Sequence, residues 1–337
     1  MLCKFSLLAL FSFCLLTVGP VESHAKGVLI KRSQYLMGTL VFVTGVAPQE
    51  AVAKNAVAAG LAEIRRIEHL MSTWIPDSEL SKVNSAAGKH PVQVGPENME
   101  ILQASLRMAA FTEGGFNIAV GPAVDAWNVS QEGRIPTQTE LDVTRSLTLL
   151  ENIALDEQAG TVFLKQPGMK IDVGGIGKGY AADLVVDVMQ KAGATAGVVA
   201  LSGDIKTFGR MPDQERFVFG IQHPREEQGH VLGRIELENE AVSTAGDYQR
   251  FIIKDGIRYH HILDPQTLHP ARGCQSVTII AKDGVMADGL DTGIFVMGPK
   301  KGMALIESLP DVEGVIVKEE GEVMISSGLK PRLRLDP

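Results

Sequence analysis

Between Pro48 and Met71 the apolar residues Val52, Ala56, Ala59, Ile64, Ile67, Leu70 and Met71 recur at helical spacing, which predicts an amphipathic core helix. A second helix is predicted from Met99 to Thr112, with Gly114-Gly115 as its left-handed stop. Leu184, Val185, Val188 and Met189 share one side of a third, from about Tyr180 to Lys191, and Val285 to Met297 and Lys300 to Leu309 give two more. Strands are predicted around Leu40 to Thr44, at Thr161 to Leu164 and at Met169 to Val173. Others follow at Gly197 to Leu201, Phe217 to Ile221, Gly233 to Leu237, Ala241 to Thr244, Arg250 to Lys254, Tyr259 to Leu263 and Ser276 to Ala281. Gly314 to Lys318 and Glu322 to Ser326 read as a closing hairpin. Short turns join the later strands, so pairing is predicted to be mostly antiparallel and the class α+β. No repeat and no Pro/Ser-rich linker divides residues 26–337, which read as one unit.

The first 25 residues follow another pattern. Lys4 precedes an apolar run from Phe5 to Val18, then Gly19-Pro20 and Ser23-His24-Ala25, the form of a secretory signal cleaved after Ala25. The run is shorter than the roughly 20 residues of a membrane-spanning helix. A lipid anchor on Cys14 is the rival reading, but Phe13 stands where a lipobox wants a small residue. The expectation is an exported, soluble periplasmic protein. Lys4 and Glu22 cancel, so removal of the segment leaves the net charge of −8, which argues against nucleic acid as a partner. Of the three cysteines only Cys274 would remain, so no disulfide framework is expected and a buried thiol is the favoured reading.

Three constellations carry candidate chemistry. In Ile171-Asp172-Val173-Gly174-Gly175-Ile176-Gly177-Lys178-Gly179-Tyr180, four glycines lie between a predicted strand and a helix, where backbone amides can approach a phosphate. The pattern fits neither a Walker A loop nor the G-x-G-x-x-G fingerprint, and a tight turn with a surface lysine is the plain alternative. In Ala287-Asp288-Gly289-Leu290-Asp291-Thr292, residues three and four apart bring hard oxygens to one helix face, which suits Mg2+ or Ca2+. Helix capping explains the same acids. In Arg258-Tyr259-His260-His261-Ile262-Leu263-Asp264-Pro265, strand alternation sends the histidines to opposite faces, so they are poorly placed to share a metal. One could act as a base, and a satisfied structural histidine is the alternative.

In this order the motifs resemble the FAD:protein FMN transferase (ApbE) family over nearly all of residues 26–337. Met37-Gly38-Thr39, Trp74 to Asn84, Gly115-Phe116-Asn117, Val120-Gly121-Pro122 up to Trp127, Asp172 to Tyr180, Ser202-Gly203-Asp204, Thr244 to Tyr248, His260 to Pro265 and Ala287 to Thr292 carry the likeness. Asn117, Ala119, Ala245 and Leu268 depart from the usual Asp, Thr, Ser and Gly. The resemblance implies a mixed unit with an FAD cleft between two lobes. It implies FAD, as substrate, held by Met37, Trp74, Gly115, Phe116, Asn117, Asp172, Lys178 and Ile262, with Mg2+ on the Gly175 carbonyl, Asp288, Asp291 and Thr292. His261 and Lys178 become the candidate catalytic groups. The implied reaction moves FMN to a threonine or serine hydroxyl of a target protein and releases AMP. The implied acceptors are subunits of sodium-pumping NADH:quinone oxidoreductases and related membrane electron-transfer complexes. Two alternatives are an FAD pyrophosphatase giving FMN and AMP, and a non-catalytic FAD-binding protein. Gly193-Ala194-Thr195 resembles part of the acceptor motif, but Met189 and Ala192 break it, and the site reads as a helix C-cap.

Overall fold

The computed structural model describes residues 27–129, 133–227 and 229–336; the predicted export segment lies outside them. The chain opens on the hairpin β1 (Val28–Leu36) and β2 (Thr39–Ala47), followed by helix α1 (Glu50–Met71). A lobe of short elements comes next: α2 (Glu79–Ser85), β3 (Val92–Gln93), α3 (Pro96–Phe111), α4 (Gly121–Trp127), α5 (Gln138–Arg145), β4 (Ile153–Asp156) and β5 (Thr161–Leu164). Helix α6 (Gly177–Lys191) returns the chain to β6 (Ala196–Leu201), β7 (Asp204–Phe208), β8 (Phe217–Gln222), β9 (Val231–Leu237), β10 (Ala241–Gly246), β11 (Phe251–Lys254), β12 (Ile257–His260) and β13 (Cys274–Ala281). The last elements are α7 (Gly284–Met297), α8 (Pro299–Ser308), β14 (Val312–Lys318), β15 (Val323–Ile325) and β16 (Leu333–Leu335).

The central sheet has eight strands in the order β1-β2-β6-β7-β10-β13-β14-β15, and every ladder among the described residues is antiparallel, as the short turns predict. Helices α1, α6, α7 and α8 cover one face. The small sheet β16-β9-β8 covers the other, packing Ile221, Ile235 and Leu237 on Val242, Ile280 and Val315. With both faces covered, β13 is buried at every position and loses the alternation of a half-exposed strand. A separate core of Ala123, Trp127, Leu141, Leu263 and Leu268 gathers α4, α5 and the segment after β12 into a smaller lobe.

Two readings of the sequence need correction. Met169 to Val173 joins no ladder: the Asn84 amide closes on the Ile171 backbone from both sides (3.0 and 2.8 Å), and Asp172 N–H donates to Ile118 O at 2.8 Å. The backbone groups that a neighbouring strand would satisfy are satisfied by a side chain and a loop. The strand predicted from Tyr259 to Leu263 ends at His260, because His261 N–H turns to Arg250 O at 3.2 Å and Ile262 N–H to the His260 imidazole two residues back, at 3.3 Å. Helix α6 also begins earlier than its apolar stripe, which puts Lys178 in its first turn.

Candidate active site

Helices α6 and α7 cross so closely that a Cβ on Gly179 would lie 2.1 Å from the Gly284 carbonyl oxygen. Each helix caps the other. Asp183 of α6 accepts from Gly284 and Val285 N–H at 2.8 and 2.9 Å, and Asp288 of α7 accepts from Gly179 N–H at 2.8 Å. The capping alternative for the acids of α7 therefore holds across the crossing for Asp288, while the first turn of α7 itself carries no acid.

The crossing leaves Asp288 and Asp291 buried, at 3% and 2% exposure, beside a residue the motif spacing did not single out as a ligand: Asp204, at 5%. Carboxylate oxygens of the three lie within 4.8 Å of one another. Lys178 reaches Asp204 Oδ2, and the Ser243 hydroxyl sits between Asp204 Oδ1 and Asp291 Oδ2, 2.6 Å from the latter. Thr292 Oγ1–H donates to Asp291 Oδ1 at 3.0 Å. Burial first, then Asp204, pushes the Asp288 carboxyl up to about 7 against the pull of Lys178; burial, Asp288 and Asp204 push Asp291 up as well. Burial alone would lower Lys178, but Asp204, Asp288 and Asp291 carry it above the ordinary lysine range. Three crowded carboxylates faced by one ammonium are short of positive charge, and the hard oxygens of Asp288 and Asp291 with the Thr292 hydroxyl fit a cation such as Mg2+, while the Asp204 oxygens are taken by Lys178 and Ser243.

These groups form the floor of a cavity of about 590 Å³ at the seam between the lobes. Met37, Trp74, Gly115, Phe116, Asn117, Asp172, Gly175, Lys178, His261, Ile262, Asp288, Asp291 and Thr292 all line it, so every residue singled out for FAD, metal or catalysis converges there. Gly115 fits because a Cβ there would lie 2.6 Å from the Gly293 carbonyl oxygen, and a Cβ on Gly175 would lie 3.3 Å from Phe116 and Thr292. The segments 115–117, 172–178 and 288–292 are thus packed on one another.

The glycine turn differs from the expected phosphate cradle. Its amides are largely occupied: Gly174 N–H donates to Asp172 Oδ1 (2.6 Å), Ile176 and Gly177 N–H to Val173 O (3.1 and 2.7 Å), and Gly179 N–H to Asp288. The positive charge offered to an anion therefore comes from side chains, Lys178 and Arg250, which both line the cavity. Asn117 uses both ends of its amide, Oδ1 accepting from Ala119 N–H at 2.7 Å and Nδ2 donating to Thr148 O at 3.0 Å. An aspartate could not make the second bond, which accounts for the amide at this position.

The histidines separate as alternation predicts. His260 is buried, donates from Nε2 to Ala271 O at 2.8 Å and accepts from Ile262 N–H at Nδ1, so both nitrogens are committed to the fold. His261 lines the cavity; burial chiefly pushes its pKa down to about 4, so it is neutral near pH 7. Its Nδ1–H points at Arg250 O (3.3 Å), which leaves the lone pair on Nε2. Cys274 is buried and its thiol is pushed up to about 12, mainly by burial, as expected of a core cysteine. Glu68 also escaped the sequence reading: its Oε1 accepts from Met37 N–H at 2.6 Å and fixes the left-handed Met37–Gly38 turn at the cavity rim.

Residues 37–316 match the family model described as the ApbE family. The chain belongs to the ApbE family. It is 31% identical over 307 residues to an FAD:protein FMN transferase of Klebsiella pneumoniae, covering 90% of this chain and 93% of that one. It is 33% identical over 276 residues to the FAD:protein FMN transferase of Vibrio cholerae, covering 80% and 82%. Among solved structures, the ApbE protein of Thermotoga maritima superposes with a TM-score of 0.84 at 32% identity, covering 90% of this chain and 99% of that one. The flavin transferase ApbE of Vibrio cholerae does so with a TM-score of 0.81 at 30% identity, covering 91% and 99%. The α+β class and mostly antiparallel architecture read from the sequence are those of the ApbE fold.

Proposed function

We propose that this ApbE-family chain transfers FMN from FAD to a hydroxyl of a target protein. The observation that carries the reading is the meeting of Lys178 with the Asp204, Asp288 and Asp291 cluster on the floor of a cavity whose volume, about 590 Å³, is that of a small-molecule site. The names of the relatives point to the same activity.

FAD would lie against Met37, Trp74, the Gly115–Phe116–Asn117 turn, Asp172 and Ile262. Asp288, Asp291, Thr292 and the Gly175 carbonyl would hold Mg2+. Bound there, Mg2+ supplies neutralisation of the pyrophosphate charge. Lys178 adds a second positive charge against the same anion and needs no deprotonation to do so. His261 is the base: its free Nε2 takes the proton of the acceptor hydroxyl as that oxygen attacks the phosphorus nearest riboflavin and the bond to the AMP phosphate breaks. An entering pyrophosphate raises the His261 pKa from about 4 toward the working range. The products are an FMN phosphoester on a threonine or serine and free AMP. Acceptors of this kind are subunits of membrane electron-transfer complexes. Action outside the cytoplasm belongs to the same reading and rests on the pattern of residues 1–25.

The test is incubation with FAD, Mg2+ and a flavin-free acceptor, followed by a denaturing gel viewed for flavin fluorescence. Fluorescence that travels with the acceptor and vanishes with EDTA supports transfer. FMN appearing only in solution makes the protein a pyrophosphatase, and FAD recovered unchanged makes it a binding protein.

A further inference from the structure

Asp204 lies in the Ser202-Gly203-Asp204 motif without a role assigned to it and Ser243 lies in no motif, yet they connect the two halves of the charged floor. Ser243 is on β10 and 1% exposed; Asp204 opens β7. The β7–β10 ladder pairs Ala241 with Lys206 and Val242 with Ile205, so the next step of the register sets Ser243 beside Asp204. Both lie on interior strands of the central sheet, whereas Lys178 and Asp291 come from two different helices. The contacts run in one chain: Lys178 Nζ to Asp204 Oδ2, Asp204 Oδ1 to Ser243 Oγ, and Ser243 Oγ to Asp291 Oδ2. A lysine side chain otherwise samples many rotamers, and a carboxylate held at one oxygen can turn about its own axis. Here Asp291 is held at both oxygens, by Ser243 and Thr292.

We propose that Asp204 and Ser243 are positioning residues that lock Lys178 and Asp291 into one frame, so that the ammonium and the cation carboxylates face the FAD phosphates at a fixed spacing. Asp204 also offsets the Lys178 charge, which would otherwise repel a cation from Asp288 and Asp291. The cation-holding role of the frame rests on the residues themselves, and its effect on rate rests on the transferase reading above.

The test is a Mn2+ titration of the metal-free full-length protein by electron paramagnetic resonance, with neither FAD nor acceptor present, beside steady-state transfer kinetics. Groups that orient metal ligands typically govern about 10- to 100-fold in affinity or rate. Ser243→Ala should weaken Mn2+ binding about 10-fold and lower kcat by a similar factor or more, while KM for FAD stays within about threefold. Ser243→Thr, which keeps the hydroxyl, should restore both. Asp204→Asn, isosteric, should weaken Mn2+ at least as much and carries the test if Ser243→Ala loses its fold by circular dichroism. Wild-type Mn2+ affinity in both Ser243→Ala and Asp204→Asn would overturn the proposal, as would a wild-type protein that binds no Mn2+. Release of free FMN in place of transfer would sink the function reading and leave the titration result standing.

Discussion

The floor and the rim of the cavity are built differently. On the floor, Asp204, Asp288 and Asp291 are at most 5% exposed, and each is held by a side chain or amide from another element. At the rim, Tyr35 and Trp74 are 72% and 71% exposed, and Met37 sits in a left-handed hairpin turn held by the Glu68 carboxylate and by the Tyr35 hydroxyl, which donates to Gly38 O at 3.0 Å. The floor stands on sheet strands and crossing helices, where a displaced oxygen has nowhere to relax. The rim stands on a hairpin tip and a loop, which suit large flat ligands that enter and leave. Rate should therefore depend on the floor and affinity for FAD on the rim.

The largest expected effect breaks the floor. Asp288→Ala removes a proposed cation ligand and the cap on α6 together, and loss of one strong electrostatic contact to a transition state typically costs about 100- to 1,000-fold in rate. Transfer assays should show that loss in kcat, with partial rescue at high Mg2+ or Mn2+.

A smaller effect concerns pH. Asp288 holds its proton up to about 7 when folded, whereas an unfolded aspartate releases it near 3.9. The folded protein binds the extra proton between those values, so its contribution to stability is complete below about 4 and is lost as pH rises through about 7. Thermal melts in EDTA should fall across that range. Because the cation displaces the proton, Mg2+ should stabilise more at pH 8 than at pH 5. A melt in EDTA that rises from pH 5 to 7 would contradict the crowding of carboxylates on the floor.

The rim should respond in binding. Trp74→Ala removes an exposed aromatic surface worth about 0.5 to 1.5 kcal/mol of stacking, an increase of about 2- to 12-fold in KM for FAD with kcat nearly unchanged. An equal fall in kcat would erase the division between rim and floor. The smallest effect lies just outside the site: Ser202 is exposed and left-handed (φ 65°) in the β6–β7 turn, so Ser202→Gly should raise stability by about 1 kcal/mol in denaturant titrations.

The helices α1, α3, α6, α7 and α8 were legible, as in α1, where Ala56, Ile64, Ile67 and Met71 are buried at the spacing read there; α2, α4 and α5, of seven or eight residues each, are too short to show a period and were not legible. Strand β7 was not, since Lys206 interrupts its apolar pattern; that ammonium is buried against Asp183 at 3.3 Å, a pairing no local pattern reveals. Asp288, Asp291 and Thr292 could be found because helix periodicity brings them together within one element. Asp204 and Ser243 meet only through strand register, and the single local sign was an aspartate directly after a tight turn. Leu268, where the family usually has glycine, takes the left-handed conformation (φ 63°) while its side chain fills the core beside Trp127, whose indole N–H donates to the Leu268 carbonyl at 2.7 Å. Tertiary packing there overrides the backbone preference.

The central claim is that this floor delivers FMN to a protein hydroxyl, and the most direct measurement is the ratio of AMP released to flavin bound covalently to a flavin-free acceptor. The account predicts one AMP for each covalent flavin, with free FMN absent and both products lost in His261→Ala. AMP accumulating with free FMN and no covalent flavin would contradict it.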